Sequence, residues 1–415
     1  MFSRPSGPLQ RTPVRTCGND LGGRFRAAIR KRPPRSFRFV HDSRVIVVIG
    51  AGIIGASIAD ELARRGACVH VLDMRSPGRG ASQASAGILA PYTEAHERTA
   101  LLELGTRSLA MFDDFVSRVR ERSARPIDFA RSGTLEVAHD DADVSRLGAS
   151  RAWLDAIGVP VEWMPASDLR TFEPAVSLSS RGALFNPAHA WVGVRSLVTA
   201  LVESAKLAGA SFETPVEAVD LMPRGDAVDV RAGERRYQAD AVVLAAGTWS
   251  GRVRIAGTPP IPVRPVRGQL LHLQWNAATP PPARIVWDRH CYIVPWPDGS
   301  LLVGATMEDV GFDERVTLEG VRSLAEAAAA LLPAAKAGSF LAARAGLRPA
   351  SPDGLPVIGP LAGAPRVCVA TAHYRNGVLL APLTAQVVAD WVLDGRRDAA
   401  LDVTTPSRFA SVPAS

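Results

Sequence analysis

The sequence predicts an α/β protein: a Rossmann-type domain assembled from discontinuous segments, with an inserted second domain based on a mainly antiparallel β-sheet. Three observations predict it. A β-α-β unit with a glycine fingerprint fills 44–73; apolar strands ending in glycine-containing turns recur at 240–250 and 366–377; and 259–303 is Pro-rich, with short strand candidates between turns. A chain of 415 residues that is 47% hydrophobic can bury the core of two domains.

The first unit opens with the apolar run 45–49, read as a parallel strand buried on both faces. Gly50, Gly52 and Gly55 follow as G-x-G-x-x-G, then a helix to Arg65, a turn at Gly66 and a strand at 69–72. Gly50 makes the tight turn, Gly52 lets backbone approach a pyrophosphate, and Gly55 lets helix pack on strand. The helix N-terminus offers amides to the anion. Asp73, about 20 residues on, stands where a carboxylate accepts from an adenosine ribose hydroxyl. The unit therefore points to dinucleotide binding.

The small-residue loop 75–89 is either a plain connection or a place where backbone amides approach a flat polar ligand. Helical spacing covers 94–122, strand alternation 131–138, and helix again 144–157. Ser167 or Asp168 is a candidate cap for a short helix before Pro174. A short strand at 183–185 and a helix at 194–207, stopped by Gly209, come next. The runs 216–221 and 227–231 read as a hairpin, and 240–250 as either a core strand with a turn or a strand aimed at the same ligand. The stretch 259–303 reads as an antiparallel meander closed by a helix at 317–332, and a buried strand at 366–371 leads to a helix at 378–393. The domain division is thus 43–130, 190–250 and 340–395 for the nucleotide-binding part, 131–189 and 251–339 for the substrate part, and 396–415 as a tail.

Charge excludes less than it promises. The net charge is +7, yet residues 1–42 carry ten basic residues against two acidic ones, so the remainder is close to neutral and gives no reason to expect nucleic acid. The basic extension reads as disordered or as a start codon placed too far upstream, with an organellar presequence as the alternative; it lacks the apolar run of a secretory signal. No stretch is long and apolar enough for a membrane span. Cys17, Cys68, Cys291 and Cys368 have no metal-site spacing; Cys68 and Cys368 read as small core residues, and the set fits a reducing cytoplasm better than a disulfide framework.

Several runs together carry a resemblance: the fingerprint with Asp73, SAGILAP at 85–91, VVLAAGTWS at 242–250, RGQLLHL at 267–273, HCYIVPWPDGSLLVGATMED from His290, GLRPASPDGLPVIG from Gly346 and HYRNGVLLAP from His373. The chain resembles the FAD-dependent amino-acid oxidases of the D-amino-acid oxidase superfamily over about 44–395, and within them the glycine oxidase group, which makes dehydroglycine for the thiazole ring of thiamine.

The resemblance implies non-covalent FAD. It assigns Ile53 and Ile54 after the glycines, and Asp73 and Met74 at the ribose. Ala81, Ser82, Ala86, Gly87 and Ile88 fall at the pyrophosphate and flavin ring, Val216 at the adenine through its backbone. The amides of His373, Tyr374, Arg375, Asn376, Gly377, Val378 and Leu379 fall at the flavin pyrimidine edge. For substrate it assigns Arg348 as carboxylate clamp, Tyr292 beside it and Arg375 nearby; a guanidinium fork suits a carboxylate on chemical grounds as well. No side-chain base and no metal is required. The implied substrates are glycine, sarcosine and small D-amino acids, with dioxygen as acceptor and a homo-oligomeric, cytoplasmic enzyme. A D-amino-acid or sarcosine-type dehydrogenase or oxidase passing electrons to another acceptor is the alternative. One departure from the pattern is Ala372, where the resembled enzymes carry glycine; a Cβ there is awkward if φ is positive.

Overall fold

The computed structural model describes residues 44–93 and 97–409. The expected basic extension at 1–42, the first residues of the helical expectation at 94–96 and the end of the tail lie outside them.

One six-stranded sheet organises the nucleotide part, in the order Val357–Leu361, Ala364–Thr371, Ala241–Leu244, Val45–Ile49, Cys68–Leu72, Ser211–Glu213. All pairs are parallel except the first. Its central strand is apolar at every position because both faces are covered. Ile46 and Val48 pack with the helices Ile53–Arg64, Val194–Leu207 and Ala381–Asp394, while Val47 and Ile49 pack against a four-stranded sheet that contains Val219–Arg224 and Ala227–Ala232. The hairpin expected at 216–231 thus forms the two inner strands of a covering layer, flanked by Arg235–Ala239 and Arg254–Ile255.

The second part is an eight-stranded sheet in the order Ser339–Ala350, Arg264–Gln274, Ser300–Gly304, Tyr292–Pro295, Ile285–Trp287, Thr134–Ala138, Gly182–Asn186, Glu162–Pro165. It is antiparallel apart from the pairing of Ile285–Trp287 with Thr134–Ala138. Leu318–Leu331 closes it, with the Thr317 hydroxyl accepting from the Gly320 amide as N-cap.

Four expectations are corrected. Ser339–Ala350 pairs along nearly its whole length with Arg264–Gln274, so it belongs to the larger sheet and the boundary at 340 moves to the C-terminal side of this strand. Residues 396–409 are no loose tail: Ala400–Thr404 is a short helix whose Leu401 and Thr404 are buried against the sheet edge, one apolar anchor being too little to read from sequence. The short helix Ala166–Phe172 has Pro165 at its N-cap and no side-chain cap, so neither Ser167 nor Asp168 serves there. Cys68 is buried, as expected of a small core residue, but is disulfide-bonded rather than a free thiol.

Candidate functional site

A single cavity of about 930 Å³ runs from the C-terminal ends of the parallel strands to the face of the larger sheet. Such a position is where open α/β sheets hold ligands.

At the nucleotide end, Gly50 has φ +106°, and its amide donates to the Leu72 carbonyl at 2.8 Å. A side chain there would meet the Ala245 carbonyl oxygen at 2.4 Å, so the turn is pressed against the neighbouring strand end. A Cβ on Gly55 would fall 1.9 Å from the Gly50 carbonyl oxygen; Gly55 lets the helix sit on the turn and does not itself line the cavity. Gly52, Ile53 and Ile54 do. The Ile53 amide is already taken, donating to the Ser82 hydroxyl at 3.0 Å.

Asp73 accepts from the Ala51 amide at 2.6 Å and the Arg75 amide at 2.8 Å. Burial pushes its pKa up, and these two amides pull against that shift. Met74 lines the rim with 51% of its surface exposed. Val216 also lines the cavity, but its amide donates to the Asp73 carbonyl, leaving only its own carbonyl as backbone contact for a ligand. Ala81, Ser82, Ala86, Gly87 and Ile88 form the adjoining wall.

The run from His373 to Leu379 lines the cavity at the start of the turn into Ala381–Asp394. Two of its amides are engaged within the protein: Tyr374 donates to the Pro349 carbonyl and Asn376 to that of His373, both at 2.8 Å. Gly377, Val378 and Leu379 keep theirs without an acceptor among the described residues. The His373 ring turns inward to Thr384 Oγ1 at 3.1 Å, and burial drives its pKa down to about 3, so it stays neutral. Ala372 has φ +58° and is fully buried.

At the other end Arg348, Tyr292 and Arg375 meet the same cavity. Arg348 Nη1 donates to the carbonyls of Thr306 at 3.0 Å and Arg267 at 3.3 Å. No carboxylate among the described residues forms an ion pair with it, while burial, the largest influence, and the nearby Arg375 lower its pKa. An unpaired buried cation is costly unless an anion completes it. The space for both side chains comes from glycine: a Cβ on Gly268 would fall 2.2 Å from the Arg348 guanidinium, and one on Gly304 would fall 2.5 Å from the Tyr292 ring. Burial raises the Tyr292 pKa, so its hydroxyl keeps its proton.

The sequence reading brings together every candidate except Gly55 around one cavity, and it misses others. Arg75, Thr93, Thr248, Trp249 and Met307 line it too. Thr248 sits in the VVLAAGTWS run and Met307 in the run from His290, which mark their segments; Thr93 has no local signal. The Tyr374 hydroxyl donates to Met307 Sδ at 3.0 Å.

Thr93 and Thr248 line this cavity, and their buried hydroxyls have no partner among the described residues. Orphaned donors beside an open glycine turn and free amides suit a dinucleotide with pyrophosphate and a polar ring, so the residues fit FAD.

A model described as FAD dependent oxidoreductase matches residues 46–391. The glycine oxidase of Geobacillus kaustophilus strain HTA426 is 33% identical over 362 residues, 86% of this chain and 94% of that protein. The bifunctional protein ThiO/ThiG of Trichormus variabilis is 31% identical over 370 residues, 88% of this chain and 55% of that longer protein. The crystal structure of a glycine oxidase from Geobacillus kaustophilus superposes with a TM-score of 0.83 at 31% identity, covering 88% of this chain and 99% of that one.

Proposed function

Since the chain belongs to the FAD dependent oxidoreductase family, we propose that it carries out oxidative deamination of glycine and other small amino acids, giving the imine and, from dioxygen, hydrogen peroxide. The observation that carries this reading is Arg348: a guanidinium with no carboxylate partner among the described residues, with Tyr292 beside it, at the end of a cavity whose other end suits a dinucleotide. Gly52, Ser82 and the run from His373 to Leu379 would hold FAD, which would supply a two-electron acceptor for the substrate α-carbon hydride and a route for the electron pair to dioxygen.

The protein's part is placement. Arg348 is anchored through Nη1 by two carbonyls and presents its remaining N–H groups to the substrate carboxylate. Tyr292 lines the same pocket and Arg375 adds positive charge. The amino group must be neutral, so that its lone pair drives transfer and no side-chain base is needed. His373, neutral and turned toward Thr384, takes no proton. The amides of Gly377 to Leu379, without an acceptor among the described residues, would stabilise the negative charge that grows on a bound flavin when it is reduced.

Resemblance to ThiO/ThiG proteins supports a role for the imine in thiamine thiazole synthesis. No helix among the described residues is long and apolar enough to cross a membrane, and a cytoplasmic homo-oligomer is part of the same proposal. The test is to mix purified holoprotein with glycine, sarcosine and small D-amino acids, following anaerobic bleaching near 450 nm and peroxide formation in air. Dye reduction without peroxide overturns the oxidase and favours a dehydrogenase of the same fold.

A further inference from the structure

Segment 305–317 runs between the two ends of the cavity and is fastened at each. At the substrate end the Thr306 carbonyl accepts from Arg348 Nη1. There Glu308 is held by Arg267 Nε and Nη2 at 3.1 and 2.5 Å and by Gln269 Nε2 at 2.7 Å. At the nucleotide end Glu314 meets Arg75 fork to fork, Nη1 to Oε1 at 2.9 Å and Nη2 to Oε2 at 2.7 Å.

Arg75 lies two residues beyond Asp73, and its amide donates to that carboxylate. Its guanidinium also lies 4.6 Å from the centre of the Trp249 ring. Trp249 in turn stands 6.0 Å from Phe312 of the same segment, and the Arg252 guanidinium covers Phe312 at 3.4 Å.

An isolated surface ion pair contributes little. This one is bidentate, is backed by an indole, and leaves only 33% and 26% of the two side chains exposed. Its halves are 239 residues apart in sequence. One half adjoins the ribose-side carboxylate, and the other belongs to the segment whose far end, at the Thr306 carbonyl, supports Arg348.

We infer that the Arg75–Glu314 pair is a positioning latch that couples retention of FAD to binding of the substrate carboxylate. The carboxylate half rests on the deamination reading above; the nucleotide half does not. With the latch closed, Arg75 braces Asp73 and the Thr306 carbonyl is set for Arg348. Ordering either end then lowers the cost of ordering the other, and such coupling is reciprocal.

The test is the FAD dissociation constant of the full chain, measured by reconstitution with and without saturating glycolate, a small carboxylate that is not an amino acid. In the wild type, glycolate tightens FAD binding. Glu314→Gln raises the FAD constant about five-fold and removes the glycolate effect; Arg75→Gln does the same, and the double variant loses no more than either single one. An unchanged FAD constant in Glu314→Gln, a glycolate effect that survives it, or additive losses in the double variant overturns the latch. Wild type that glycolate does not affect, with FAD affinity still lost in Glu314→Gln, overturns the coupling alone; the deamination reading fails separately, on glycine that leaves the flavin unbleached.

Discussion

The Arg348 guanidinium lies over Gly268, and a β-carbon at position 268 would stand 2.2 Å from it. The backbone there is extended, so a methyl group threatens the arginine and not the strand. Gly268→Ala is expected to raise the Michaelis constant for glycine at least ten-fold, about 1.4 kcal/mol, while the protein still folds and takes up FAD. An unchanged constant would mean that the fork sits elsewhere in the working enzyme.

Removing the fork outright should cost more. Arg348→Ala is expected to weaken amino-acid binding by about 2–4 kcal/mol, because a charge-assisted bidentate pair is lost in a partly buried site. Arg348→Lys should recover little, since an ammonium is a point charge and cannot reach both oxygens. Carboxylate titrations followed by the flavin difference spectrum measure both.

Ala372 holds φ +58° with its methyl group buried. The left-handed conformation costs an alanine about 1–2 kcal/mol. Ala372→Gly removes that cost but gives up about 0.8 kcal/mol of methyl burial and about 0.4–1 kcal/mol through the freer unfolded chain. The terms nearly cancel, so urea unfolding should move by less than about 1 kcal/mol, and a gain above about 2 kcal/mol would refute the balance.

His189 is buried beside Tyr92, and its pKa is driven down to about 3 by loss of solvent. The unfolded chain binds this proton near pH 6.5, the folded protein only near 3. Its stabilising contribution is therefore full above pH 6.5 and declines as pH falls toward 3. Between pH 6 and 5 the wild type should lose about 1.4 kcal/mol per pH unit more than His189→Gln. Parallel urea midpoints for the two proteins across that range would contradict it. His373 shifts in the same direction.

The nucleotide end was the most legible part because its chemistry is local: three glycines, an apolar strand and an acid lie within 44–73, and each has one structural use. Likewise 194–207 was read to its bounds, since apolar periodicity and Gly209 agree. The substrate end was legible only through resemblance. Nothing near Arg348 in sequence shows that its support comes from Thr306 and Arg267, its space from Gly268, or that Arg75 reaches Glu314. Those relations are made by strand pairing and a long segment crossing between layers, which periodicity cannot register. The short helix Ala400–Thr404 was lost for a related reason, its one large apolar anchor being indistinguishable from a surface leucine.

Arg348 rides on a ladder in which Val266 stands opposite it and Gly268 is the diagonal neighbour on the same face. Its place is inherited from backbone registry, where a one-residue slip would invert the whole face. Loops around the pocket are under no such constraint. Changes of loop length and composition can therefore reshape the pocket without moving Arg348, which stays where the two long strands put it.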